Sequence, residues 1–457
     1  MKWIYELRTT MLKTMHIGID DTDSTRNGCT TYIAALLLEE LEKLQARFID
    51  YPNLIRLNPN VPWKTRGNGA LCLRFEFEEE LEADIKKAAI GLVEENADLN
   101  FKGTDPGIVF FKSRGIPQEL KAFAKNAETG VVTLKEATRL ISKFKGEALG
   151  FNTCRGIIGA LAAIGETLEG DHTYELIAYR AKENRGSKRR VDEGSIFEMD
   201  RLTQPYTFNN VDLEKHRVII TPRGPDPILL GIRGESPEIV KKAFAMVKPL
   251  EPVERWVVFR TNQGTDAHLT QTQALNALKP YSSIIAKGVV SRNPRIVPVR
   301  HVIFSIKDST GEVDCAAYEP TGELRKVAKE LIESDKVEVY GAVRRRQKSK
   351  RLTLNLEKIN ILSLTTNAMY QNPKCQSCGK RLESMGKDQG FRCKKCGARY
   401  DATEKVRVTI DRAVKPGLYM TSTRSQRHLT KPFRRYGLEK DHYETQNMFK
   451  NWHKLIG

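Results

Sequence analysis

The sequence predicts a multidomain protein that is α/β at its N-terminal end, α+β in the middle and all-β beyond. Three observations predict it. Strand-like and helix-like periods alternate over the first 148 residues, short strands take over from Ser283, and two Cys-x-x-Cys pairs stand near the C-terminus. At about 150 residues per domain, 457 residues make about three domains. A composition of 40% hydrophobic and 29% charged residues, with 32 Gly and 19 Pro, excludes wholesale disorder and fibrous repeats.

In chain order, 15–20 reads as a strand, 31–45 as an amphipathic helix, 70–77 as an alternating strand and 79–96 as a helix. A helix over 133–144 leads into Asn152-Thr153-Cys154-Arg155-Gly156, which opens a helix of small residues ending at 165. Strands at 173–180, 217–221, 228–232 and 256–260 then enclose a helix over 237–246, and two helices with about four strands suit a ferredoxin-like unit. From 283 to 364 the order is three strands, a helix over 322–334 and two more strands, the order of an OB-fold barrel, which serves single strands and loops. The expected division is 1–148, 149–275, 276–368, and 369–457 for a zinc ribbon with a basic tail.

Charge separates the two ends. Residues 341–457 carry 27 Lys and Arg against 9 Asp and Glu, so the whole net charge of +18 lies there, and residues 1–340 balance at 48 of each sign. An excess of that size calls for a polyanionic partner. No apolar run reaches the length of a membrane span, and charges interrupt the N-terminus where a signal peptide would be apolar. Of eight cysteines, four form the paired cluster and the rest are scattered, which fits reduced thiols and a metal site; a cytoplasmic location is expected, with no membrane association and no obligatory protein partner.

The strongest local signal is Cys375-x2-Cys378 and Cys393-x2-Cys396, whose spacing closes a tetrahedral zinc site with all four ligands used, so that zinc is structural. Gly379 and Gly397 follow the pairs, and Lys394 and Lys395 lie inside the second knuckle, placed to touch nucleic acid. Near the other end, Ile19-Asp20-Asp21-Thr22-Asp23-Ser24 precedes Cys29-Thr30-Thr31-Tyr32 at a helix start. Three carboxylates in four residues repel unless a cation joins them, so Asp20, Asp21 and Asp23 suit Mg2+ holding nucleotide phosphates; a solvated turn with capping residues is the plainer alternative. Thr30 and Thr31 stand where free amides and the helix dipole favour phosphate, as phosphoacceptor or phosphate ligand.

Lys64-Thr65-Arg66-Gly67-Asn68-Gly69 is a donor-rich turn with two cations, as a phosphate cradle requires, though an ordinary loop reads the same way. Gly103-Thr104-Asp105-Pro106-Gly107 offers one carboxylate to a cationic substrate or metal, and Arg155 could meet phosphate. The hairpin Arg344, Arg345, Arg346, Lys348, Lys350, Arg351 falls where the barrel's last two strands join, a loop such barrels use on nucleic acid. Arg424, Arg427, His428, Lys431, Arg434 and Arg435 extend this positive surface into the tail.

Together IDDTDS (19–24), CTTY (29–32), KTRGNGA (64–70), GTDPG (103–107), NTCRGIIGALAAIG (152–165), TYELIAYR (173–180) and FRTNQGTDAH (259–268), followed by an OB-fold and a zinc ribbon, resemble the archaeal 2-agmatinylcytidine synthetases of isoleucine tRNA over nearly the whole chain. The resemblance implies a kinase-like N-terminal α/β domain and a ligase that replaces the C2 oxygen of the wobble cytidine, in a CAU anticodon, with agmatine, ATP ending as AMP. A carbonyl oxygen leaves badly and a phosphorylated one well, after which the amine attacks. It further implies that Thr30 is phosphorylated and that Asp20, Asp21 and Asp23 serve metal and nucleotide. Thr31, Lys64, Arg66, Gly67 and Asn68 are expected at ATP phosphates, Asp105 and Arg155 near agmatine, and the hairpin, Lys394, Lys395, Arg427, Arg434 and Arg435 on tRNA. Residues 1–14 precede the family's usual start, with Met11 or Met15 as alternative first residues, and no role is expected of them. The competing reading is a non-catalytic single-strand-binding protein built on the barrel and ribbon.

Overall fold

A computed structural model describes residues 12–271, 274–346, 351–401, 404–442, 448 and 451–456. Its first feature is a single sheet that runs through both halves of residues 12–271. In chain order its elements are β1 (Lys13–Asp20), α1 (Thr30–Lys43), β2 (Asn53–Arg56), β3 (Gly69–Phe77), α2 (Glu82–Asn96), β4 (Gly107–Lys112), α3 (Gln118–Thr129), α4 (Leu134–Lys143), β5 (Glu147–Gly150) and α5 (Gly156–Gly165). Then come β6 (Thr173–Arg180), α6 (Glu193–Thr203), β7 (Ile228–Gly234), α7 (Pro237–Met246) and β8 (Val253–Thr261). The strands order as β5-β4-β1-β3-β2-β8-β6-β7, with a two-residue strand, Thr207–Phe208, at the far edge.

Period-2 alternation places Met15, Ile17 and Ile19 of β1 in one apolar cluster with Ile33 and Leu37 of α1 and Ile85 and Ala89 of α2. The other face is covered by α3, α4 and α5, through Val109, Phe123, Leu140 and Ile164. Small residues let α5 lie almost on the backbone of β1: a Cβ on Gly18 would come within 2.1 Å of the Ala160 carbonyl oxygen. The halves join where β2 runs parallel to β8, Asn53 opposite Arg260 and Leu54 opposite Thr261.

The expected elements stand, with four differences. Strand β5 spans the expected 148/149 boundary, and α5 packs with the N-terminal layer, because its apolar residues share the core of α3 and α4. Helices α3 and α6 and strands β2 and β5 were not anticipated, although Leu120, Phe123, Ala124 and Ala127 make a helical stripe in an otherwise polar stretch. The strand expected at 217–221 is only Arg217–Val218. The barrel helix is α8 (Glu323–Lys329), shorter than 322–334.

The barrel consists of β9 (Ser283–Val297), β10 (His301–Lys307), β11 (Glu312–Ala317), β12 (Lys336–Arg345) and β13 (Leu352–Ser363). Antiparallel pairs β9–β10, β10–β11 and β12–β13, the parallel pair β11–β13 and the closing pair β9–β12 leave no open edge among them. The expected basic tail does not hang free. Gly417–Met420 adds to β13, and His453–Leu455 adds to β8, with Trp452 buried against Phe48 and Tyr51 at ring distances of 5.7 and 5.9 Å. Among the described residues no helix is long and apolar enough to cross a membrane.

Candidate active site

At the C-terminal end of β1 the chain turns sharply, Asp21 taking a left-handed φ of 57°, and sends the three aspartates to different partners. Asp20 lies under α5: a Cβ on Gly159 would fall 1.9 Å from Asp20 Oδ2, so the helix needs glycine there. Asp21 accepts from Arg155 Nη2 at 2.8 Å, and the same guanidinium lies 3.1 Å from Asp105. Asp23 accepts from Thr65 Oγ1 at 2.9 Å and pairs with Arg66 at 3.3 Å. Burial, then Asp21, pushes the Asp20 carboxyl well above the usual carboxylate range. Burial pushes Asp21 up to about 6 against the opposing pull of Arg155.

Two further backbone links tie the motifs into one structure. Thr104 Oγ1 donates to the Asp23 carbonyl at 3.1 Å, and the Gly156 amide donates to the Asp105 carbonyl at 2.8 Å. Cys29, rather than a threonine, is the residue preceding α1, and no side chain caps that helix. Its N-terminal amides therefore lack a side-chain partner, and Thr30 and Thr31 of that first turn line the same cavity as the aspartates. Thr30, buried, accepts from Thr22 Oγ1 at 3.0 Å, and Thr31 lies 3.2 Å from the Cys29 sulfur.

These groups line one cavity of about 400 Å³, together with Lys64, Arg66, Gly67 and Asn68. The loop is held in a strained form, with φ of 36° at Arg66 and 52° at Asn68, by Lys64 donating to the Arg66 carbonyl at 2.8 Å and Asn68 to the Asn58 carbonyl at 2.8 Å. The opposite wall comes from the second half of the sheet and was not foreseen. It holds Glu175, Asp226 and Arg233, with Arg56 of β2 at the floor and His428 arriving from the C-terminal segment. Arg233 pairs with Glu175 at 3.1 Å, and Asp226 with Arg189 at 2.9 Å and Arg66 at 3.6 Å. Burial pushes the Arg56 guanidinium down to about 10. Glu175 lay within a quoted motif; nothing local marks the others.

Asp105 is buried and committed to Arg155 and to the Thr153 amide at 3.1 Å, so it anchors Arg155 instead of offering a free carboxylate to agmatine. The tail arginines expected on RNA are likewise paired with the protein's own carboxylates, Arg427 and Arg434 at its surface and Arg435 inside it. Arg435 is fully buried between Asp171 and Glu235, which corrects its expected surface role. Arg434 grips Asp200 at 2.7 and 3.0 Å, and Arg427 pairs with Glu357 at 3.0 Å. The carboxylates that claim them come from distant parts of the chain. In the barrel hairpin Arg345 and Arg351 are exposed, Arg344 donates to the Asn60 carbonyl at 2.6 Å, Arg346 pairs with Asp314 at 3.3 Å, and Lys348 and Lys350 lie outside the described residues.

In the ribbon one ligand atom from each of Cys375, Cys378, Cys393 and Cys396 lies within 4.8 Å of the others, which fits a tetrahedral zinc thiolate set. Gly379 and Gly397 take φ of 70° and 79°, and each amide donates to the carbonyl of the first cysteine of its pair, at 2.8 and 2.9 Å. Lys394 and Lys395 are exposed on the second knuckle.

A cavity lined by clustered aspartates and a donor-rich basic loop, on one chain with an OB-fold barrel, fits the class of nucleotide-dependent enzymes that modify RNA. Family models match at 16–152 (TiaS TCKD domain), 154–268 (TiaS FLD domain), 284–362 (OB-fold nucleic acid binding domain) and 372–414 (TiaS C-terminal zinc ribbon domain). The chain is 42% identical over 430 residues, 92% of its own length and 97% of the relative, to TiaS, the isoleucine-tRNA 2-agmatinylcytidine synthetase of Methanosarcina acetivorans. It is 44% identical over 428 residues, 93% and 98% of the two lengths, to that of Archaeoglobus fulgidus. Solved structures agree: a complex of TiaS with its isoleucine tRNA and ATP stands at 41% identity and TM-score 0.85, covering 96% of this chain and 100% of that one. A complex of TiaS with the same tRNA, AMPCPP and agmatine stands at 39% and 0.82, covering 93% and 97%. The chain belongs to the family of isoleucine-tRNA 2-agmatinylcytidine synthetases.

Proposed function

We propose that this protein uses ATP to join agmatine to C2 of the wobble cytidine in the CAU anticodon of isoleucine tRNA. The observation that carries the reading is the convergence on one cavity of Asp20, Asp21 and Asp23, the uncapped start of α1 and the 64–69 loop. The relatives named above are synthetases of this product, and a relative has been solved with its isoleucine tRNA, an ATP analogue and agmatine. The relatives that match along nearly the whole chain are synthetases, so the non-catalytic alternative is not favoured.

The aspartates fit a divalent ion: their mutual repulsion and burial are what an Mg2+ would relieve, and in the family such an ion supplies charge neutralisation of the phosphates. The helix-start amides, Lys64, Arg66 and Asn68 orient the phosphates, and the Thr30 hydroxyl lies among the groups that would receive one. A phosphoryl group moved from ATP to the cytosine O2 makes that oxygen a leaving group; the primary amine of agmatine forms the C–N bond and gives up a proton, the C–O bond breaks and phosphate departs, and ATP ends as AMP by losing its other phosphate to water. Agmatine carries two positive charges and needs carboxylate partners; Glu175 and Asp226 line the opposite wall of the cavity, which Asp105 does not, and an incoming cation there would compete with Arg233, Arg189 and Arg66 for them. The exposed hairpin arginines and the ribbon lysines supply phosphate contacts to tRNA. Structural zinc staples the ribbon.

The test is incubation of the protein with ATP, Mg2+, labelled agmatine and an isoleucine tRNA transcript bearing CAU. Incorporation of label at the wobble position with release of AMP is expected; ATP turnover without incorporation overturns the assignment.

A further inference from the structure

We infer that His428, brought in by the C-terminal segment, is a phosphate-contacting residue of the cavity, donating a hydrogen bond from Nε2 to a phosphate oxygen of a bound substrate. The inference rests on the reading above and adds to it a group from outside the N-terminal sheet.

Position is the first argument. The imidazole lies against the 64–69 loop: a Cβ on Gly67 would be 3.0 Å from both Nε2 and Cδ2 of His428, and 2.6 Å from Arg56 Nη1 on another side. Gly67 is thus pinched between a ring and a guanidinium, and the ring edge belongs to the phosphate-type loop. A second, smaller cavity of about 220 Å³ beside the first is lined by Arg56, Lys64, Arg66, Arg427 and His428, a basic set.

The backbone that carries the ring is fixed on both sides. The His428 carbonyl accepts from the Gly264 amide at 2.8 Å, the Leu429 carbonyl from the Asp266 amide at 2.8 Å, and Asp266 Oδ1 accepts from the Lys431 amide at 2.7 Å. Arg427 donates to the Pro59 carbonyl at 3.0 Å. Such anchoring suits a side chain that must hold a fixed direction.

The direction of the proton follows from the partner. Arg233 Nη2 lies 2.9 Å from His428 Nδ1. A guanidinium can only donate, so Nδ1 accepts and the single proton of the neutral ring sits on Nε2. Among the described residues Nε2 has no hydrogen-bond partner, and the ring borders both cavities. Burial, then Arg56, Arg233 and Lys64, pushes the imidazole well below its usual range, so the donor is uncharged and its cationic neighbours select an anion. Two substrates bring phosphate here, the triphosphate of ATP and the backbone of tRNA.

The experiment uses the full-length protein with His428→Phe, which keeps a ring without a donor, and His428→Gln, which restores an N–H near the position of Nε2. Each is titrated with an Mg2+-bound non-hydrolysable ATP analogue, and separately with tRNA transcript at fixed salt. H428F is expected to lose about tenfold in affinity in one titration, the size of one hydrogen bond to a charged group, with H428Q recovering most of it; because Phe also removes the acceptor for Arg233, the thermal midpoint of H428F should fall, and all titrations are made well below it. Loss confined to the nucleotide assigns the phosphate to ATP, and loss confined to the transcript assigns it to RNA. The wild-type to H428F affinity ratio should stay flat between pH 6 and 8, since a neutral donor does not titrate there. Unchanged binding in both titrations, equal loss in H428F and H428Q, or a ratio that falls through pH 6.5 overturns the inference. Product formation by the wild-type protein tests the underlying reading separately, because the titrations need no turnover.

Discussion

Arg260, near the C-terminal end of β8, donates from Nε to Asp50 Oδ1 at 3.1 Å across the seam where the two halves of the sheet meet. Both side chains are nearly sealed from solvent, at 2% and 6% exposure, and the same guanidinium donates to the Thr167 and Leu168 carbonyls at 3.1 Å each. Leu54 and Arg56 of β2, on the same seam, line the candidate cavity, so this ion pair connects stability with site geometry. Removing one partner strands a buried charge, and Asp50→Ala is expected to destabilise the chain by about 3–5 kcal/mol. Replacing both residues with apolar ones should recover much of that loss, as read by urea unfolding of the single and double variants.

Asp21→Ala should abolish agmatine incorporation while tRNA affinity stays within about twofold, because affinity for RNA comes from cation–phosphate contacts that a carboxylate does not make. A large loss of tRNA binding would show that the aspartate cluster holds RNA instead of nucleotide and metal.

Glu128, at the end of α3, gives a pH signature. Burial, then Glu166, pushes its carboxyl from an ordinary value near 4.5 up to about 8, against Lys125. Between those values the folded chain keeps a proton that the unfolded chain has released, so stability falls as pH rises through this window, by at most about 1.4 kcal/mol per pH unit. Glu128→Gln retains an acceptor for Asn262, which donates to Glu128 Oε1 at 2.7 Å, and cannot ionise. Thermal melts from pH 5 to 8 should therefore decline less steeply for the variant than for the wild type.

Replacing Arg345 and Arg351 with alanine should lower the slope of log affinity for tRNA against log salt by about 0.7–0.9 for each phosphate that is no longer neutralised. The same change at Arg435 should leave the slope alone and lower stability, since that guanidinium is enclosed by Asp171 and Glu235. Equal salt slopes for the hairpin variant and the wild type would remove the hairpin from the RNA surface.

Chelation should take one zinc per chain, detected by elemental analysis, and raise amide exchange across 372–400 while the barrel strands stay protected. The ribbon's buried cluster is only Cys375, Leu382, Phe391 and Cys393, too small to hold a fold without its metal.

Much of the architecture was legible because it is local. Alternation marked β1 and β3, the small-residue run at 156–165 announced a helix, and the paired cysteines with their glycines announced the ribbon. The aspartates, Thr30 and the 64–69 loop, which the structure brings to one cavity, stood out because each lies in a short polar stretch at the end of a periodic element. Tail charges misled for the opposite reason: a run of arginines looks the same whether it meets phosphate or the protein's own carboxylates, and Arg434 and Arg435 meet Asp200, Asp171 and Glu235 from far earlier in the chain.

By itself, then, the order of residues determined most of the strands and helices, the metal knuckles, and the short polar motifs that stand at the ends of those elements, because those depend on neighbours a few positions apart. Only the tertiary structure decided that β2 and β8 fuse two units into one sheet, that Glu175, Asp226 and Arg233 wall the cavity, and that the C-terminal segment returns to set His428 against Gly67. Those are pairings between residues hundreds of positions apart, settled by burial and charge compensation across the whole chain, and no local pattern encodes them.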